Sequence, residues 1–222
     1  MTLLVIVMSL IWKTSTGFTQ IQNKKPITGR YDSISIVAKS DGSIVGDFYD
    51  ETGAGQFSCG FLLYSDGRPD ADGKYKVVTW WPFKELGIDL SRVGDNVAWG
   101  TLRFVNDALF LQLPKQAHGG CWNVNPDLDQ GQEVALDLMH PHPEWKEIRV
   151  VKAEKAYLHK APDLNDHARA YVIQGDTVFV TEQRGKWLHV QYYTVELRES
   201  TGWVQESDLL PFRVPEANSA QK

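Results

Sequence analysis

Between residues 27 and 138 the chain breaks into short β-forming runs, each ended by glycine, aspartate or asparagine. Such spacing leaves no room for a helical bundle or a βαβ unit and points to antiparallel sheet. Residues 31–38 read as a strand with Ile34, Ile36 and Ala38 on one face, followed by a turn at Asp41 and Gly42. A strand over 44–49, a loop at 52–55 and a strand carrying Cys59 come next. Residues 65–73 are almost all turn formers, and β character resumes at 75–81. Residues 97–105 and 109–113 flank Asn106 and Asp107, a pair suited to a hairpin turn. The one helical turn expected here lies at 83–86. The fold class is therefore all-β, as two small antiparallel β-barrel or sandwich domains.

The amino terminus carries an apolar run at residues 3–12, followed by Lys13. A bilayer needs about 20 apolar residues, so the run is too short to span one. It fits the core of a secretory signal peptide covering 1–17, with small residues Ser15, Thr16 and Gly17 at the cleavage region. It departs from the pattern in having no Lys or Arg ahead of it. The expected location is periplasmic or secreted, with no transmembrane segment in the mature form.

Export gives the two cysteines a meaning. In an oxidising compartment Cys59 and Cys121 are most simply one disulfide. The competing reading is a catalytic thiol at Cys121 with His118 nearby, the basis of a cysteine hydrolase.

His140, Pro141, His142 and Pro143 interrupt the strand pattern, so residues 140–147 read as a linker between a domain at 18–139 and another at 148–211. Residues 212–222 read as a flexible tail. The chain carries a net charge of −5, and most of it sits early: residues 18–145 hold 11 basic and 17 acidic side chains, residues 146–211 hold 9 and 10. Neither half has the clustered cations of a nucleic-acid-binding module. Gly29, Arg30 and Tyr31 ahead of the first strand faintly resemble the opening of calycin (lipocalin-like) barrels.

The last third has a clearer likeness. Leu158 with Ala161 and Pro162, then Gly175 and Asp176, Trp187 to Val190, Thr201 to Val204, and Asp208 to Leu210 follow one another in family order. On these motifs residues 148–211 resemble a bacterial SH3 domain. They depart from it at Tyr157 to Lys160, where the family carries Asn and Arg, and in the enlarged link at 193–200. The resemblance implies a small β-barrel that binds peptidoglycan peptides or an envelope protein. The binding surface it suggests comprises Tyr157, His159, Trp187, Tyr192, Tyr193 and Trp203, aromatic groups that give flat contact area with polar edges.

No phosphate loop, metalloprotease motif or nucleophile elbow occurs. His118, His140 and His142 lack a metal-ligand spacing, and residues 125–133 miss the EF-hand pattern. No metal or cofactor is expected. Trp80, Trp81 and Trp99 suit core packing, or a hydrophobic cavity inside a barrel. The leading expectation is a non-enzymatic exported binding protein of the cell envelope. The alternatives are an inhibitor or immunity-type protein that blocks a secreted enzyme or toxin, and the Cys121–His118 hydrolase.

Overall fold

The computed structural model describes residues 25–82, 86–87, 97–119, 121–164, 170–194 and 196–215. The expected signal peptide at 1–17, most of the helical turn at 83–86 and the tail beyond 215 lie outside the described residues.

Eight antiparallel strands form the first body: β1 (Gly29–Tyr31), β2 (Ile34–Ala38), β3 (Ile44–Thr52), β4 (Phe57–Ser65), β5 (Tyr75–Trp80), β6 (Ala98–Val105), β7 (Ala108–Gln112) and β8 (Val134–Pro141). Each bonds to its neighbour in sequence, and β1 bonds to β8, so the sheet closes into a barrel with no free edge. The sequence reading ran residues 31–38 together as one strand. Asp32 and Ser33 instead turn the chain, and Tyr31 pairs with Ile34. Two short polar residues that favour turns outweigh the flanking alternation. Asn106 turns the β6–β7 hairpin with a φ of 55°, as its residue type suggests. Gly29 has a steric cause: a Cβ there would lie 2.4 Å from the His140 carbonyl oxygen across the β1–β8 seam.

The barrel is packed solid. Tyr31, Phe48, Phe61, Leu102 and Leu111 are among the side chains that fill its interior, with Phe48 stacked on Phe61 at 4.7 Å. Two helical turns, α1 (Cys121–Val124) and α2 (Pro126–Asp129), send Cys121 and Leu128 into the same core. Asn125 caps α2 by accepting a hydrogen bond from the Leu128 amide at 3.1 Å, with Pro126 starting the helix. None of the three tryptophans belongs to the barrel core. Trp80 packs outside the barrel, and Trp99 is 41% exposed beneath the Lys76 ammonium, 4.6 Å from its ring.

The second body uses β9 (Glu147–Val151), β10 (Lys155–Tyr157), β11 (Tyr171–Ile173), β12 (Thr177–Arg184), β13 (Trp187–Tyr193), β14 (Glu199–Gln205) and β15 (Leu209–Leu210). Five of them form a sheet in the order β14-β13-β12-β9-β15, and β10 pairs with β11 as a separate ribbon. Val151, Ala156, Val172, Val178, Val190 and Val204 form the core that joins sheet and ribbon, so this part is sandwich-like.

The junction differs from the expected linker. β8 continues through His140 and Pro141, which pair with Arg30 and Gly29, and β9 begins at Glu147. Pro141 is tolerated at the end of its strand, and the next bond across the seam comes from the His142 amide to the Thr28 carbonyl at 2.9 Å. The connection that remains is itself packed. Trp145 is only 3% exposed, stacked on Phe179 at 3.9 Å and on His142 at 4.1 Å. It joins Val37, Val45, Leu62, Val78, Ile148 and Val150 in an apolar layer between the two bodies. Phe212, expected to open a flexible tail, lies edge-on to Trp80 at 5.3 Å. The two bodies share one hydrophobic joint.

Candidate functional site

Strand pairing across the barrel sets one outward row of residues: His140 opposite Arg30, Arg30 opposite Ser35, Ser35 opposite Asp47, Asp47 opposite Leu62, and Leu62 opposite Trp80. Their neighbours Tyr31, Ile34, Ile36 and Phe48 point inward and are buried. The apolar end of the row, Leu62 and Trp80, lies under the second body. Its polar end forms the floor of a cleft of about 560 Å³, with β12 and β13 as the opposite wall. That size is ordinary for a small-ligand site.

The floor and wall are chemically mixed. Asp47 accepts a hydrogen bond from the Thr177 hydroxyl at 3.0 Å, which ties the two bodies together. Burial pushes the Asp47 carboxyl up to about 7, and the Thr177 hydrogen bond opposes this. Part of the residue still reaches the cleft. Asp176 sits in the turn before β12 and accepts bonds from the Ile173 amide at 2.8 Å and the Tyr192 hydroxyl at 3.3 Å; burial raises its pKa. Burial and the nearby Asp176 push Tyr192 up to about 12. Tyr49 is likewise held at about 12, by burial first and then by its hydrogen bond to Glu51. At the other end the Arg30 guanidinium lies 5.6 Å from the Tyr193 ring centre. Burial lowers the Arg30 pKa, opposed by the charge of Tyr193.

The six aromatic residues proposed from the sequence do not form one surface. Tyr192 and Tyr193 line the cleft. His159, Trp187 and Trp203 group elsewhere: the His159 ring meets Trp187 edge-on at 5.2 Å, and His159 and Trp203 exchange backbone hydrogen bonds at 2.8 and 2.7 Å. Trp203 is buried, with the Arg184 guanidinium 4.8 Å from its ring centre. Tyr157 stands exposed beside Tyr171, with Lys155 between the two rings.

Cys59 and Cys121 are disulfide-bonded. The sulfur that a Cys121–His118 hydrolase would use as nucleophile is therefore not a thiol. His118 is buried against Phe61 at 4.6 Å, with its Nε2 2.8 Å from the Thr79 hydroxyl, and burial lowers its pKa to about 4. His140 and His142 are also apart in role: His140 lines the cleft, and His142 stacks in the joint. Among the described residues no group of three or more His, Cys, Asp or Glu is arranged to hold a metal ion.

No family model, curated protein or solved structure matches this chain. The cleft must be judged on its own chemistry. Sequence reasoning missed Arg30, Asp47 and Asp176 as site residues. The signal available was the outward parity of Arg30 and Asp47 on strands whose other face is apolar.

Asp47 gives a direct test of the electrostatics. The folded carboxyl keeps its proton to about 7, while the unfolded chain releases it near 3.8. Between those values the folded state binds more protons, so Asp47 weakens the fold as pH rises. His118 works oppositely, since its folded pKa near 4 lies below the ordinary imidazole value of 6.5. The informative quantity is therefore the difference between Asp47→Asn and the parent protein. The variant keeps an acceptor for Thr177. Its advantage in urea unfolding is expected to be near zero at pH 4 and to reach ~1–2 kcal/mol at pH 8, below the ~4 kcal/mol ceiling because solvent enters the cleft. A constant difference across that range would contradict the assignment.

Proposed function

We propose that this is an exported, non-enzymatic binding protein of the cell envelope, and that it holds peptidoglycan peptide in the cleft between its two β bodies. The observation that carries the reading is that cleft: both bodies supply its walls, with Tyr192 and Tyr193 beside charged groups of both signs. Rigid aromatic walls give contact area at low entropic cost, and a few polar groups fix orientation. The buried disulfide suits an oxidising compartment. No helix among the described residues is long and apolar enough to cross a membrane. The likeness of residues 148–211 to bacterial SH3 domains supplies the choice of ligand.

Co-sedimentation with purified peptidoglycan sacculi tests the reading. Ser35→Trp places a large ring on the cleft floor, where Ser35 is only partly buried, and is expected to lower retention at least about ten-fold. Trp187→Ala, on the other aromatic face, is expected to leave retention within about two-fold. The opposite pattern would move recognition to the SH3-like face. No retention at all, with capture of one stoichiometric protein from an envelope extract, would favour the inhibitor reading instead.

A further inference from the structure

Arg30 and Asp47 share a feature that folding alone does not explain. Arg30 is half-buried and pairs with no carboxylate among the described residues; its guanidinium lies over the Tyr193 ring. Asp47 is desolvated, and among the described residues its carboxylate accepts a hydrogen bond from a neutral hydroxyl, that of Thr177. Each is a burden on stability without a counter-ion. They stand in the same row, yet Ser35 holds them one strand apart on either side. Neighbouring strands are about 4.8 Å apart, so the two Cα atoms are roughly 9–10 Å from each other. Among the described residues no ion pair joins them, and both open into the same cleft.

We infer that the cleft takes a short zwitterionic peptide, its free carboxylate at Arg30 and its free ammonium at Asp47, with the backbone lying over Ser35. This rests on the cleft being the binding site, as proposed above; a stem peptide in an intact sacculus has its amino end acylated, so there the ammonium is a side-chain amine. An extended chain advances about 3.3 Å per residue, so a tripeptide, with charged ends roughly 7–10 Å apart, is long enough to reach across β2 from β1 to β3. A guanidinium offers two parallel donors to a carboxylate, the pairing Arg is best shaped for. Asp47, with its edge in the cleft and Asp176 on the facing wall, supplies acceptors for an ammonium. His140, opposite Arg30 in the β1–β8 pairing, lines the same end of the cleft. The apolar end of the row is closed off by the joint, which limits the peptide's length on that side.

Calorimetric titration of the full chain with three probes tests this: trialanine, N-acetyl-trialanine and trialanine amide. Trialanine is expected to bind most tightly, with each blocked form weaker by at least about ten-fold, the scale of one charge-assisted hydrogen-bonded contact. Arg30→Gln should no longer distinguish trialanine from its amide while still rejecting the acetylated form. Asp47→Asn should show the converse. Thermal unfolding of both variants verifies that they are folded, and neither substitution removes a core group. Equal binding of all three probes, or variants that weaken all three equally, would overturn the inference and leave the cleft reading in place. If no probe binds but sacculi are still retained through the cleft, the zwitterionic assignment falls alone. Loss of sacculus retention by the parent protein overturns the reading beneath it as well.

Discussion

Trp145→Ala is expected to remove about 3–5 kcal/mol of stability and to uncouple the two bodies. Trp145 is buried between them, stacked on Phe179 and His142, with Tyr193 at 6.0 Å. Its indole N–H also donates to Gln191 on β13. Truncating a buried tryptophan forfeits its transfer free energy and leaves a void that surrounding side chains fill only in part. The void here falls in the layer that holds the bodies together, so its effect is not confined to one of them. The parent protein is expected to unfold in a single transition, with far-UV dichroism and tryptophan fluorescence coincident in urea. In the variant the second body should melt first, and the two signals should separate. Trp99→Ala is the control: that ring is 41% exposed and lies beneath Lys76, so a loss under about 1 kcal/mol is expected. A Trp145→Ala loss no larger than the control's, with coincident transitions, would refute the joint.

Removing the disulfide should cost a comparable amount by a different route. Cys59 lies on β4 and Cys121 opens α1; both are buried in the barrel core, and 62 positions separate them in sequence. Closing a loop of that length restricts the unfolded chain by about 4 kcal/mol in the entropic account. Cys59→Ala with Cys121→Ala is therefore expected to lose about 3–4 kcal/mol. α1 and α2 should loosen first, because the bridge is what fastens α1 to the barrel wall. Denatured but unreduced parent protein should present no reactive thiol. Two reactive thiols under those conditions would contradict the bridge, as would a double variant as stable as the parent. The variant, once folded, should still bind sacculi, since neither cysteine lines the cleft.

The β class, the Asn106 hairpin and the single bridge were all legible in the sequence. Alternation with period two reports which residues of a strand face a core, and Asn at a turn reports its own backbone preference. Two cysteines, if oxidised within one chain, leave one simple pairing. The junction was misread for a physical reason. Two prolines among four residues argue against a strand interior, but Pro141 occupies a strand end, where the argument has no force. The aromatic set was half-legible. Tyr192 and Tyr193 reach the cleft, whereas the His159, Trp187 and Trp203 group was taken with them because nothing local separates the two. Outward parity was the one signal for Arg30 and Asp47, and it does not mark a site, since a charged residue at an outward strand position ordinarily sits in water.

What the sequence by itself determined is parity: Ile34, Ile36 and Phe48 must point into the first body, and Ser35 and Asp47 must point out. What only the tertiary structure decided is what lies against that outer face. The row from His140 through Arg30, Ser35 and Asp47 to Leu62 and Trp80 is continuous in the sheet, but the second body covers one end and overhangs the other. Side-chain alternation is a property of each strand alone. The covering of its outer face depends on contacts between residues more than a hundred positions apart, such as Asp47 with Thr177. Those contacts convert an ordinary solvated arginine and aspartate into a half-buried, unneutralised pair facing one cleft.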